Sequence, residues 1–250
     1  MKIKFLGTGH GIPASDRFCS CTMIEINDAI YVIDAGAPLL DTLLRAGKDP
    51  EAVKAIFVTH THSDHVAGLY GYLSTVNWFY KKASLDVFLP DRKECELFTQ
   101  LIEYVGDRPV DEKRIRWATV GEGKFYEDEN IRVWAAPTAH LKSVGRPSYS
   151  FLVEAEGKKI VFTGDISQWL EAADYPAAAM EQETDVVICE FAHFTPEQIE
   201  GYMKKTRTSQ FWFNHVGLSK KFDRFEAIQT LAQSVPYPVL AAKDGDEIVL

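Results

Sequence analysis

Three imidazoles and a carboxylate fall within one short stretch, Thr59-His60-Thr-His62-Ser-Asp64-His65, directly after the apolar run Ala55-Ile-Phe-Val58 and just before Gly68. Imidazole nitrogens and carboxylate oxygens together suit a borderline divalent cation. In an extended segment the side chains of i and i+2 point to the same side, so His60 and His62 can converge on one ion. Where the chain then turns into a helix, Asp64 and His65 swing toward a second position beside it. One ion takes about four ligands, and the remainder must come from distant segments.

Three further residues stand where such ligands are needed. His140 follows the apolar run Ile131 to Ala136, Asp165 follows Lys159 to Phe162 in Phe-Thr-Gly-Asp-Ile, and His215 follows Gln210 to Phe213 in Phe-Asn-His-Val-Gly. Asp165 also reads as a helix cap and His140 as a loop residue. The chain has seven histidines, the others being His10 and His193, and six of the seven come just after a predicted strand. His10 lies in Gly7-Thr-Gly9-His10-Gly11-Ile-Pro13, a loop whose glycines permit a tight turn with exposed amides, and it reads either as lining a site or as a hydrogen-bonded turn. Lys142-Ser-Val-Gly-Arg146 brings two cations and a hydroxyl after His140, which fits either a phosphate contact by Lys142 and Arg146 or a solvated hairpin.

The elements that must position these residues alternate in type along the chain. Short β-type runs are predicted at Ile3–Leu6, Thr22–Ile26, Tyr31–Ile33, Ala55–Thr59, Leu85–Leu89, Ile115–Trp117, Ile131–Trp134, Tyr149–Val153 and Lys159–Phe162, with Glu156-Gly157 as a hairpin turn. Leucines at 39, 40, 43 and 44 between Pro38 and Gly47 have helical spacing. Helices are also predicted at Val66–Tyr80, Lys93–Val105, Pro196–Lys204 with Thr195 as cap, and Phe222–Ala232. Strands at Asp185–Cys189, Gln210–Phe213, Val239–Leu240 and Glu247–Leu250 complete the order. Trp78, Phe79 and Tyr80 read as core or as the edge of a pocket. Two similar halves, each a sheet with flanking helices, suit an α/β protein: an αββα sandwich of two mixed β-sheets with helices on the outer faces, forming one domain over residues 1–250.

Composition sets the outer bounds. The 250 residues are 46% hydrophobic and 25% charged, values of an ordinary folded protein. No apolar run approaches the ~20 residues of a membrane span, and no long apolar region follows the basic start, so the chain reads as cytoplasmic with no membrane partner. The net charge of −9 disfavours a long nucleic acid bound through many phosphates and points to a small-molecule substrate. Cys19, Cys21, Cys95 and Cys189 read as free thiols, because Cys19-Ser-Cys21 lacks a second pair to complete a metal site.

His60-Xaa-His62-Xaa-Asp64-His65, with Asp34 in Val-Ile-Asp-Ala-Gly before it and His140, Asp165 and His215 after it, resembles the signature of the metallo-β-lactamase-fold hydrolases in both residues and order. The resemblance implies one metal held by His60, His62 and His140, a second held by Asp64, His65 and His215, and Asp165 bridging them. Asp34 would be the carboxylate that orients a ligand imidazole. Two divalent ions, zinc by default with manganese or iron nearly as suitable, would turn a bridging water into hydroxide, with Asp64 orienting it.

Within that superfamily, Phe5-Leu-Gly-Thr-Gly9, Gly11-Ile-Pro13 and Asp64-His-Val-Ala-Gly-Leu69 look like the transfer-RNA 3′-processing endonucleases and their smaller phosphodiesterase relatives. Glu190-Phe-Ala-His193-Phe-Thr195 resembles their acidic residue and His-Ser-Thr loop, with Phe194 in place of Ser; His193 would contact phosphate or protonate the leaving oxygen. No Gly/Pro-rich basic arm lies between His140 and Asp165. The expectation is a dinuclear phosphodiesterase acting on a small, anionic phosphodiester or cyclic phosphate. The alternatives are hydrolysis of a carboxylic ester, thioester or lactone at the same two-metal site, or a non-catalytic binding module. A homodimer remains open.

Overall fold

In the computed structural model, the described residues are 1–12, 14–167, 174–217, 219 and 222–250; Pro13, the end of the predicted glycine loop, lies outside them. The chain divides into two compact units. Met1–Val120 with Asp244–Val249 form the first, and Gly121–Lys243 with Leu250 form the second.

The first unit is a seven-stranded sheet built from β1 (Lys2–Gly7), β2 (Cys21–Ile26), β3 (Ala29–Ile33), β4 (Val53–Phe57), β5 (Leu85–Leu89), β6 (Ile115–Thr119) and, numbered in chain order, β14 (Glu247–Val249). Their order is β14-β1-β2-β3-β4-β5-β6. The pairings from β14 to β3 are antiparallel and those from β3 to β6 parallel. Helices α1 (Leu39–Arg45), α2 (Ser63–Val66), α3 (Leu69–Trp78) and α4 (Arg92–Val105) supply the crossovers that parallel strands need. Leu39 and Leu43 of α1, Leu69, Leu73 and Val76 of α3 and Ile102 of α4 share one core with Met23, Val32, Ile56, Val87 and Ile115 of the strands.

The second unit repeats the plan. Its strands β7 (Gly123–Glu127), β8 (Ile131–Pro137), β9 (Tyr149–Ala155), β10 (Lys158–Phe162), β11 (Thr184–Phe191), β12 (Thr208–Val216) and β13 (Val239–Ala241) lie in sequence order across the sheet. Antiparallel pairing runs from β7 to β10 and parallel pairing from β10 to β13. Helices α5 (Ala177–Glu181), α6 (Pro196–Met203) and α7 (Arg224–Ala232) accompany them. Ile199 and Met203 of α6 and Ile228 and Leu231 of α7 pack with Val187, Phe191, Phe211 and Phe213. Glu156 and Gly157, at φ 51° and 75°, close the β9–β10 hairpin as predicted.

Three expectations needed correction. The helix predicted over Val66–Tyr80 is two pieces, α2 and α3, because a Cβ at Gly68 would sit 1.8 Å from the Ala37 carbonyl oxygen: the backbones touch there. Strand β7, Gly-Lys-Phe-Tyr-Glu, was not predicted; it is an edge strand whose residues are exposed or half-buried, so it lacks the apolar alternation that marks a strand. Trp78 and Phe79 are not core: they are 40% and 74% exposed. Tyr80 does pack against the first unit's core.

Candidate metal centre

In the first unit the parallel strands deliver their carboxyl ends to the predicted ligands. Asp34 follows β3 with φ at 58°, a left-handed conformation that aspartate tolerates better than most residues. Its buried carboxylate accepts hydrogen bonds from the Thr59 amide at 2.8 Å and the Thr59 hydroxyl at 3.0 Å. It also holds Nδ1 of His65 at 2.8 Å. An imidazole that donates from Nδ1 keeps the Nε2 lone pair for a metal, which is the role assigned to Asp34 from resemblance. The Nε2 of His65 lies 3.6 Å from Oδ2 of Asp64.

His60 is arranged the same way. Its Nδ1 faces the Thr59 hydroxyl at 3.2 Å, and its Nε2 lies 3.1 Å from Nδ1 of His62. Two nitrogens on tetrahedral arms of about 2.0–2.1 Å would be roughly 3.3 Å apart, so this spacing fits two ligands of one cation. His60, Asp64 and His65 are buried, while His62, which caps α2, is exposed. Thr61, between the two histidines, donates its hydroxyl to Glu94, which also forms the capping box of α4 with Asp91. Gly11 of the glycine loop abuts Asp64, since a Cβ there would lie 3.3 Å from Oδ2. His10, its half-buried neighbour, accepts a long contact from the Cys19 thiol on its carbonyl, at 3.7 Å. The thiols are free, and burial pushes the pKa of Cys21 well up, which disfavours a thiolate metal ligand there.

The second unit gathers His140, Asp165, His193 and His215 around one carboxylate oxygen. Oδ2 of Asp165 lies 3.7 Å from Nε2 of His140, from Nδ1 of His193 and from Nε2 of His215. Asp165, His193 and His215 each offer a ligand atom, all within 4.8 Å of one another. The local backbone explains the aim. Gly164, at φ 58°, turns the chain sharply after β10, and His215, at φ 48°, is the extra residue of a bulge where Glu190 pairs with Asn214 but Phe191 with Val216. A bulge re-aims a side chain at a strand end, and the strained φ is the kind of feature that collects at functional sites.

His193 differs from the other three. Its Nδ1 lies 3.0 Å from Oε1 of the buried Glu190, and its side chain is 30% exposed, against 3% for His215. Glu190 also accepts from the amides of Ile166 at 2.9 Å, Ala192 at 2.6 Å and His193 at 3.1 Å, so one carboxylate fixes both the Asp165 turn and the His193 loop. Buried Asp174 does the same for the other flank, accepting from the amides of Ala139 and Ser167 at 2.8 and 3.1 Å. Sequence reasoning missed Asp174, Thr59 and Glu94: each acts on a partner far away or through the backbone, and none carries a pattern of its own. After His140, Lys142 opens an exposed single turn, Lys142–Val144, and exposed Arg146 follows it beyond Gly145. Phe194, in place of the Ser of the resembled loop, is buried against the ring of Phe191.

Each unit thus contributes three imidazoles and one carboxylate to His/Asp groups of metal-binding type. The chain is 32% identical over 162 residues to a Ribonuclease Z of Shouchella clausii, which covers 63% of this chain and 49% of that protein. It thus spans about half the length of the curated relatives it matches. The metallo-beta-lactamase fold protein YhfI of Bacillus subtilis superposes with a TM-score of 0.79 at 16% identity, over 99% of both chains. The short form of human tRNase Z superposes with 0.74 at 20% identity, over 100% of this chain and 99% of that one. The likenesses to solved structures show the metallo-β-lactamase fold.

They also overturn one expectation. The exclusion of long nucleic acid rested on net charge and on the lack of a Gly/Pro-rich basic arm between His140 and Asp165, whereas the matched relative is named Ribonuclease Z and the neighbour tRNase Z. Net charge averages over the whole surface, and bound cations change the sign of the potential where a phosphate would sit. A family profile described as Anti-Pycsar protein Apyc1 matches residues 1–218 of the 250, and the chain belongs to that family.

Proposed function

We propose that the chain is a metal-dependent phosphodiesterase, with a small phosphodiester or cyclic phosphate as the finer reading of its substrate. An RNA phosphodiester is the second reading, favoured by the relatives named Ribonuclease Z. The observation that carries the activity is His193: an imidazole held at Nδ1 by Glu190 beside Asp165, which leaves Nε2 to hold or deliver a proton at a leaving oxygen.

In this reading the chain acts as one hydrolase domain in the cytosol. His60, His62, Asp64, His65, His140, Asp165 and His215 would hold two divalent ions, with zinc the default metal. Such ions supply Lewis acidity, acidifying a water and neutralising charge on phosphoryl oxygens. Asp64 orients the nucleophile, Asp34 orients His65, and Lys142, Arg146 and His10 contact the substrate. An exposed lysine and arginine suit an anionic group better than a neutral ester.

The test is hydrolysis by the metal-loaded protein of bis-p-nitrophenyl phosphate, cyclic nucleotides and a structured RNA beside a lactone and thioester panel. Phosphodiester turnover that is lost in Asp64→Ala is expected. Turnover confined to lactones or thioesters would transfer the assignment to carboxylic ester chemistry.

A further inference from the structure

Arg224, the first residue of α7, is 8% exposed. Its Nη2 donates to the carbonyl of Ala192 at 2.8 Å and its Nη1 to the carbonyl of Phe194 at 3.2 Å, the two residues that flank His193. Its guanidinium lies over the rings of Phe191 and Phe222, with Cζ 4.9 and 5.0 Å from their centroids. Burial pushes its pKa down, and the Glu190 carboxylate pushes it back up. Its Nε is buried with no partner among the described residues. A buried cation with one N–H unsatisfied is a costly way to stabilise a core, and an apolar side chain of similar length would fill the same space more cheaply.

We propose that Arg224 is a positioning residue for His193. The planar fork clamps the loop backbone on both sides of the histidine, while Glu190 fixes the ring through Nδ1. One guanidinium reaches both carbonyls, which a lysine ammonium cannot do with the same rigidity. The loop therefore has its backbone held by α7 and its side chain by the end of β11. The buried Phe194, where related loops carry Ser, fits this device: its carbonyl serves the clamp while its ring packs against Phe191. The functional half of the proposal rests on the phosphodiesterase reading above, in which His193 protonates the leaving oxygen.

The experiment has two arms. In the first, kcat/KM is measured for a phosphodiester with a weakly basic leaving group, methyl p-nitrophenyl phosphate, and for one with a strongly basic leaving group, methyl phenyl phosphate. Loss of a general acid penalises the second far more, so the ratio of the second kcat/KM to the first should fall about 100-fold in His193→Ala. It should fall at least about 10-fold in Arg224→Met and by a smaller factor in Arg224→Lys. Arg224→Met placed on the His193→Ala background should leave the ratio within about 2-fold of the single histidine variant. A wild-type ratio in both arginine variants, or an additive fall in the double variant, would overturn the proposal.

The second arm needs no activity. In the metal-free protein the Nδ1 proton of His193, held against solvent exchange by its bond to Glu190, should give a downfield proton resonance that is lost in Arg224→Met and in Glu190→Gln. Its persistence in Arg224→Met would show that the clamp does not set the ring. Absence of diester turnover in the wild type alongside loss of that resonance in Arg224→Met would sink the phosphodiesterase reading while leaving the clamp in place.

Discussion

Asp34 does three jobs with one carboxylate, and its amide isostere can do only some of them. It receives the Thr59 amide, the Thr59 hydroxyl and Nδ1 of His65, all in a buried setting where an unpaired polar atom is expensive. In Asp34→Asn the side-chain oxygen can still receive Thr59, but the NH₂ group then faces His65. That favours the tautomer with its proton on Nε2, the nitrogen a metal would use. Loss of such a partner lowers metal affinity by about 10- to 100-fold. Titration of the metal-free protein with zinc should show one site weakened by that factor, with the fold retained by circular dichroism. Unchanged affinity in both sites would mean that Asp34 serves only to stabilise Thr59.

At the scale of elements, the site depends on backbones that approach too closely for any side chain. A Cβ at Gly36 would lie 1.7 Å from the carbonyl oxygen of Asp64, so the segment after β3 packs directly under α2. The Ala35 amide donates to the His65 carbonyl at 2.7 Å across the same contact. Gly36→Ala must push α2 away, costing about 1–3 kcal/mol of overpacking and displacing Asp64 and His65. Gly71, inside α3, has nothing within 4 Å of its Cβ position, so Gly71→Ala should add roughly 0.5–1 kcal/mol through helix propensity. Thermal melts should move in opposite directions for the two variants, by about 2–4 °C per kcal/mol. A drop in both would show that the Gly36 contact is not special.

The same scale shows what could be read in advance. The strands before Asp34, His60, Asp165 and His215 are buried apolar runs ending in a polar residue of known chemistry, and such a pattern is local. Arg224, Glu94 and Asp174 were not legible, because each acts on a backbone or hydroxyl group brought near by the fold. The single turn α2 was absorbed into a longer predicted helix, since the break at Gly68 comes from Ala37, a residue about thirty positions earlier in sequence.

For the molecule as a whole, net charge misled because it averages. The −9 total says nothing about the strand ends, where imidazoles and a few carboxylates wait for cations. In the proposed reading divalent ions would add stability by binding the folded chain at these side chains. An ion that binds the folded state at 100 times its dissociation constant adds about 2.7 kcal/mol. At about 2–4 °C per kcal/mol, two ions should raise the melting temperature by roughly 10–20 °C. Calorimetry of the zinc-loaded protein should therefore show unfolding at a temperature higher by that amount than in chelator-treated protein, and the shift should shrink in Asp64→Ala, which removes a proposed ligand. An unfolding temperature that zinc leaves unchanged would mean that no ion binds the folded state at these residues, and the two-metal reading would have to be abandoned.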